Sequence, residues 1–337
     1  MNPPPQPRRP MRLGYAPSGR RTGAEAVAIG RAAEASGFAE LWLSEDYCER
    51  GAFAVAGAVA ASTTRLHVGI GVVNPWTRHP ALLAMETAGL AEIAGGRVLL
   101  GLGASNARWM QEWLGIEFTR PITRLRECVA VVRQLLTGQR VTGTACGYDM
   151  DVALAFLPAY PDLPIVLGVK GPNALRMAAD VADGVFLSVL SAPDYIRWAR
   201  ERSGGPQAQV SAYVMFSCGE DGAAARDALR PQVAKYLGIH GDHDITRVAG
   251  LDPRLGQEFR RRMLAGDPAT DLVTDDILDT FTIAGDEAQC VAGLLRYAET
   301  GLDSLVLIDE PTMPAERALA VAARCAVRAG ILPAPDS

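Results

Sequence analysis

Five short stretches of this chain group side chains in ways that chemistry uses. Ser44-Glu45-Asp46-Tyr47 sets two adjacent carboxylates directly after the apolar run Leu41-Trp42-Leu43. Carboxylates at the end of a strand suit general acid–base work or the orientation of a polar ring edge; a helix cap or a solvated turn would use the same residues. Gly69-Ile70-Gly71-Val72-Val73-Asn74-Pro75-Trp76-Thr77-Arg78-His79-Pro80 puts two glycines in a strand and then breaks it. Such a strand is bulged or bent and lets a ligand approach the backbone; a plain kink that closes a barrel would leave Trp76, Arg78 and His79 on the surface. Gly101-Leu102-Gly103-Ala104-Ser105-Asn106 holds half of a dinucleotide fingerprint without its last glycine. It reads better as a strand end whose backbone lies against a flat ligand. Lys170-Gly171-Pro172-Asn173 opens a helix, where free N–H groups and one ammonium make an anion site, and a solvated lysine beside a helix-starting proline is the bland alternative. Ser188 to Ser191 would add hydroxyl and amide donors to the same anion. His240-Gly241-Asp242-His243, with Asp244, lacks the spacing of a helical zinc motif and reads as a polar loop, so no metal is expected. Neither a G-x-S-x-G elbow nor a G-K-[ST] phosphate loop occurs.

The elements that must position these groups alternate along the chain. Eight apolar runs predict strands at Arg12–Ala16, Glu40–Ser44, Leu66–Val73, Arg97–Gly103, Pro164–Val169, Gly184–Val189, Gln209–Phe216 and Asp303–Ile308. Most are continuously apolar, as strands covered on both faces of a parallel sheet are. Helices between them have readable ends. Thr22 and Glu25 form a capping box, Gly37 stops that helix, and Pro80 starts another that ends at Gly95-Gly96. Gly171-Pro172 opens a helix closed by Gly184, and Pro314 opens the last, closed by Gly330. Eight such units predict an α/β fold of the closed (β/α)8 TIM-barrel kind, with one domain over residues 11–332 behind a disordered Pro-rich tail, 1–10. A doubly wound sheet would carry G-x-G-x-x-G after its first strand, and Ala16-Pro17-Ser18-Gly19-Arg20 does not fit. Three segments are too long for simple connections: 106–120, 141–163 (read as a hairpin) and, longest, 241–300 before strand eight. Segments of that size are usually functional.

Composition narrows the function classes. The 337 residues are 49% hydrophobic and 21% charged, with a formal net charge of -5. That charge offers no basic field for nucleic acid or an anionic membrane. No run reaches the roughly 18 apolar residues of a membrane span, and six scattered cysteines without a C-x-x-C pair read as reduced thiols of a cytoplasmic protein. Of the 33 basic residues only Lys170 and Lys235 are lysines. The skew reads as a coding bias and adds weight to Lys170, whereas Lys235 reads as solvated.

LWLSEDY at strand two, VGIGVVNPWTRHPALLAMETAGLAEIAGGRVLLGLGAS from Val68 to Ser105 and VLGVKGPNALRMAADVADGV from Val166 to Val185 resemble the bacterial luciferase-like family of flavin and deazaflavin oxidoreductases, most of all its methylenetetrahydromethanopterin reductase-like branch. The resemblance spans nearly the whole barrel and implies a TIM barrel, usually a homodimer. It implies coenzyme F-420 (8-hydroxy-5-deazaflavin) as cofactor, backed by a cis Gly71–Val72 peptide in a strand-three bulge. Ser44, Gly71, Val72, Val73, Asn74, Gly103, Ala104, Ser105 and Asn106 would then line the ring. Lys170, Gly171, Pro172, Asn173, Ser188, Leu190 and Ser191 would hold the cofactor phosphate. Glu45 and Asp46 stand where the family commonly has Asp-His and are the catalytic candidates, while Trp76, Arg78, His79 and Trp109 would meet a small-molecule substrate. Departures from the family pattern are Ala16 and Asn106, where reductases of this branch carry a glutamate and an aspartate. The implied activity is hydride transfer between coenzyme F-420 and a small organic substrate. The alternatives are a monooxygenase using reduced FMN, and a family member that binds cofactor or ligand without catalysis.

Overall fold

Each of the eight apolar runs forms a strand in the structure, a computed structural model that describes residues 10–46, 48–308 and 313–334. Residues 1–9 of the expected tail and Tyr47 of the carboxylate motif lie outside the described residues. The strands are β1 (Arg12–Ala16), β2 (Glu40–Leu43), β3 (His67–Val73), β4 (Val98–Gly103), β7 (Ile165–Gly168), β8 (Gly184–Leu187), β9 (Gln209–Cys218) and β11 (Ser304–Ile308). All eight pair in parallel, in the order β8-β9-β11-β1-β2-β3-β4-β7, and the β7–β8 pairing closes the ring. This is a TIM barrel. Continuous apolar sequence follows from that topology: β2, β4 and β8 are buried along their whole length, because side chains of both faces meet packed protein.

The helix ends form where the local chemistry places them. Thr22 Oγ1 accepts from the Glu25 amide at 3.2 Å and the Glu25 carboxylate accepts from the Thr22 amide at 2.7 Å, which starts α1 (Gly23–Ala35). Pro80 begins α3 (Pro80–Ala94), with His79 as its cap, and Gly95 ends it at φ 60°. After α2 (Ala52–Ser62) and α4 (Pro121–Leu136), helices α5 (Pro172–Val181) and α6 (Pro193–Arg202) follow β7 and β8. The segment 141–163 contains the expected hairpin, β5 (Val141–Ala145) against β6 (Tyr148–Val152).

The longest segment is more regular than its sequence suggested. After α7 (Gly222–His240) it folds into α8 (Asp244–Arg247), α9 (Pro253–Leu264), α10 (Asp275–Phe281), β10 (Thr282–Gly285) and α11 (Glu287–Ala298). β10 is a ninth parallel strand: it pairs with the upper half of β9, where Met215 faces both Thr282 and Ile308. An apolar cluster of its own, including Leu229, Val233, Phe259, Leu278 and Phe281, joins α9 and α10 to α7. The polar loop expected at His240 to His243 is corrected here. His240 is the last residue of α7 and is only 7% exposed, because the helix runs on to Gly241.

Packing inside the barrel decides several glycines. Trp42, Phe186 and Tyr213 stack in sequence, with ring centroids 4.1 and 4.3 Å apart, and Ala16, Leu99, Val166 and Val306 complete the plug. A Cβ at Gly71 would meet the Tyr213 hydroxyl at 2.6 Å and the Phe186 ring at 2.7 Å. At the base, Glu40 is buried among Arg12, the Trp42 indole N–H and the Ser304 hydroxyl. Among the described residues no helix is long and apolar enough to cross a membrane.

Candidate active site

The strand-three bulge is real and has a definite occupant. Ile70 pairs with Leu100 but Val73 pairs with Leu102, so β3 spends one residue more than β4 over the same rise. The Gly71–Val72 peptide is cis. Val72 points toward β4 and β7: a Cβ at Gly103 would meet its Cγ2 at 2.5 Å, and one at Gly168 its Cγ1 at 3.0 Å. The glycines of β4 therefore make room for Val72. Beside these glycines the bulged β3 backbone and the half-exposed Val72 line the mouth of the barrel. From the opposite side, Tyr213 of β9 donates its hydroxyl to the Gly71 carbonyl oxygen at 2.7 Å.

The loop after β3 is built by its own polar residues. Asn74 is buried, and its Oδ1 accepts from the amides of Trp76 and Thr77 at 3.0 and 2.9 Å. His79 Nδ1 accepts from the Ala81 amide at 3.1 Å, which caps α3. Trp76 is not a surface residue: it packs with Trp109 and Met110 in a small apolar cluster, tilts on Phe118 and carries the Arg124 guanidinium 5.0 Å from its ring. Tyr148 of the hairpin lies 4.4 Å from the His79 ring. The segments 106–120 and 141–163 thus brace the β3 loop, which explains their length. Trp109 is 6% exposed, on a π-helical turn over Arg108–Trp113, and its amide donates to Asn106 Oδ1 at 2.9 Å.

The two carboxylates after β2 have separate environments. Glu45 is spent on the scaffold: it receives a two-pronged bond from Arg78 at 3.0 and 2.8 Å and the Ala52 amide at 3.1 Å. Arg78 also grips Glu86 of α3, so it ties the loops after β2 and β3 to one helix. Asp46 is reached by solvent but ringed by protein. Desolvation raises its carboxyl to about 6, against a hydrogen bond from Ser44 that favours the charged form and with added repulsion from Glu49. Lys235 of α7 is exposed, as its sequence suggested, and its positive charge favours the ionised form of Asp46. Tyr213 feels Asp46 too, after the larger effect of its own burial, and both hold its phenol protonated. Asp46, after β2, and Tyr213, on β9, therefore interact through their charges although their elements are far apart in sequence. Sequence reasoning missed Tyr213 and Lys235, and no local motif announces either; only barrel closure brings β9 and α7 to this point.

Lys170 follows β7 on the same rim. Its carbonyl oxygen accepts from Tyr195 Oη at 2.7 Å, and its Nζ lies 3.4 Å from His240 Nδ1. Gly171 and Ala192, the caps of α5 and α6, supply no side chain to the first-turn amides. Pro172 sits at the first helical position, and Asn173 behind it is exposed and bonded to Arg176. Ser191 is buried and donates its hydroxyl to the Ser188 carbonyl at 2.5 Å, so that proton is committed. Left-handed backbone at Cys48, Ser105 and Leu190, with φ of 61°, 61° and 68°, marks three of the rim loops. Non-glycine residues held so cost on the order of 1–3 kcal/mol and gather at ligand sites. Ala104 is half-buried beside Ser105, and Ala16 ends β1 inside the barrel plug. Among the described residues no group of three His, Cys, Asp or Glu side chains is placed to hold a metal.

Comparison with known proteins adds a family. A family model described as luciferase-like monooxygenase matches residues 7–304. The 5,10-methylenetetrahydromethanopterin reductase of Methanolobus tindarius is 30% identical over 286 residues, covering 81% of this chain and 86% of that protein. The F-420-dependent glucose-6-phosphate dehydrogenase of Microbacterium testaceum is 27% identical over 325 residues, covering 89% and 92%. Among solved structures, the coenzyme F-420-dependent tetrahydromethanopterin reductase from Methanopyrus kandleri superposes with a TM-score of 0.82 at 24% identity, covering 94% of this chain and 98% of that one. At that identity the superposition speaks for the fold.

Proposed function

The chain belongs to the luciferase-like monooxygenase family, and on that premise we propose that it is an oxidoreductase that binds coenzyme F-420 in the barrel mouth. It moves a hydride between the cofactor and a small organic substrate. The observation that carries the reading is the division of the rim into two unlike parts. An apolar backbone wall stands at the Val72 bulge, and two strands further round, past β4, a buried-stemmed ammonium stands beside uncapped helix amides at Lys170 and Gly171. A flat ring with a phosphate on its side chain needs that pair of surfaces in one cleft. The relatives whose names state F-420 dependence support the cofactor.

When bound, a deazaflavin supplies the ring carbon that accepts or releases hydride. The work left to this chain is positioning and proton control. The bulge and Val72 would hold such a ring from one side and leave the other side to the substrate. Asp46, its carboxyl raised to about 6, would hold or move a proton at the ring edge or the substrate. Glu45 acts through Arg78 as the brace of the two loops and not as the acid. Ala16 and Asn106 leave the mouth short of carboxylates, and Trp76 and Trp109 give the β3 and β4 loops an apolar body. That combination suits a substrate of apolar character.

We further read the protein as a cytoplasmic homodimer. Helix α2 has no charged residue from Ala52 to Ser62, and the neighbouring α3 exposes Leu82, Met85 and Ile93 at 48%, 46% and 55%. A helix apolar all round wants cover. The reaction is tested by mixing the protein with reduced and with oxidised coenzyme F-420 over a panel of alcohols, aldehydes, imines and enones. Substrate-dependent change of the deazaflavin absorbance without oxygen uptake is expected. Oxygen consumption that requires reduced FMN would replace this reading with the monooxygenase one. Binding without turnover across the panel would favour a ligand-binding family member.

A further inference from the structure

A lysine that serves an anion must be held without being neutralised, and the surroundings of Lys170 meet that demand in an unusual way. Among the described residues no carboxylate neutralises its ammonium, and desolvation alone disfavours its charge. The group facing it is an imidazole. His240 Nδ1 lies 3.4 Å from Lys170 Nζ, and the His240 side chain is buried at the C-terminal end of α7, with the His243 ring 6.4 Å away. An ammonium has donors only, so Nδ1 must offer its lone pair. Burial first, then the charge of Lys170 and then His243 hold the imidazole neutral, well below its ordinary titration range. The remaining proton therefore sits on Nε2, and Nε2 has no partner among the described residues. A carboxylate at 240 would make a stronger bond but would cancel the charge, and an apolar residue would leave the ammonium unaimed.

We infer that His240 is a positioning residue for Lys170: a neutral acceptor that fixes where the ammonium points and leaves its whole charge for a phosphate-class anion. Tyr195 fixes the backbone of the same lysine from α6, so two helices hold one cation at the end of β7. The inference rests on the proposed phosphate end of the cofactor site. Lys170 touches the anion; His240 acts through it.

Full-length protein and its variants are titrated with coenzyme F-420 and with the same deazaflavin lacking the phosphate. Replacing His240→Leu removes the acceptor and should weaken the phosphate-bearing ligand about tenfold, the worth of one hydrogen bond to a charged group, while leaving the phosphate-free ligand unchanged. His240→Asn keeps an acceptor near the Nδ1 position and should recover most of the loss. His240→Asp keeps an acceptor but cancels the charge, and should bind the phosphate-bearing ligand no better than the leucine variant. Equal weakening of both ligands in the leucine variant, or an asparagine variant no better than the leucine one, would overturn the inference. A second readout needs no ligand. With only two lysines in the chain, lysine-selective 15N labelling resolves Lys170 from Lys235. A protected Lys170 ammonium signal should vanish in His240→Leu and return in His240→Asn. If wild-type protein binds neither deazaflavin, the cofactor reading fails, and the ammonium signal still decides whether His240 holds Lys170; its insensitivity to both variants would end the proposal.

Discussion

The Tyr213 hydroxyl crosses the barrel and donates to the Gly71 carbonyl oxygen at 2.7 Å. One bond thereby links β9 to the bulge of β3. Asp46, the carboxylate that arrives after β2, adds to the cost of ionising that phenol. The proposed site is built on this bond: a backbone wall set from below by Trp42, Phe186 and Tyr213, with the Asp46 carboxylate as its proton-handling group.

Tyr213→Phe removes the donor and leaves the Gly71 carbonyl unsatisfied among aromatic rings. Stability should fall by roughly 1–3 kcal/mol, read as a lower urea midpoint at unchanged slope. Binding of the deazaflavin should weaken equally with and without its phosphate, because the wall and not the anion end is disturbed. An unchanged midpoint would show that the bond does not hold the bulge.

Val72 and Gly103 should behave as one unit. Gly103→Ala drives a methyl group onto Val72 Cγ2, and overpacking of that kind costs about 1–3 kcal/mol. Val72→Ala opens the same space, so the double variant should lose less than the sum of the two single losses. Additive losses by chemical denaturation would contradict the contact.

Asp46 and Glu45 are neighbours in sequence with opposite assignments. Asp46→Asn should lower kcat by about 10²-fold or more, as loss of a general acid or base does. It should also erase the inflection near pH 6 that wild type is expected to show in kcat/KM. Glu45→Gln loosens the Arg78 brace, so it should lower thermal stability while keeping that inflection. The reverse pattern in the two pH profiles would exchange the roles.

The raised carboxyl of Asp46 also sets a sign for stability. Its folded value of about 6 lies above the ordinary 3.8. Between these values the unfolded chain ionises first, so wild type loses stability as pH rises through this window and does not regain it above. Asp46→Asn should therefore melt higher than wild type at pH 8, with the difference disappearing below pH 3.8. A variant that melts lower at pH 8 would mean the charged form is welcome in the folded protein.

Much of this was legible before the fold was known, and the exceptions have physical causes. Continuous apolar runs such as Glu40–Leu43 and Val98–Gly103 declare themselves, because a buried parallel strand tolerates little else. Caps at Thr22 and Pro80 are local bargains between adjacent residues. Gly69-Ile70-Gly71 marked the bulge, yet only packing showed that Trp42 and Tyr213 require those glycines. Tyr213, Lys235 and His240 stayed hidden because each reaches the rim by closure of the barrel, from strands and helices distant in sequence. β10 is four residues long, and so short a run inside helical sequence gives no periodicity to read.

The barrel mouth is proposed to take a phosphate-bearing deazaflavin. Fluorescence titration of the purified protein with coenzyme F-420 and, in parallel, with FMN tests it most directly. Saturable micromolar or tighter binding of coenzyme F-420 is expected, weakened about 10- to 100-fold in Lys170→Ala, with FMN bound more weakly. Tight FMN binding with no detectable coenzyme F-420 binding would contradict it.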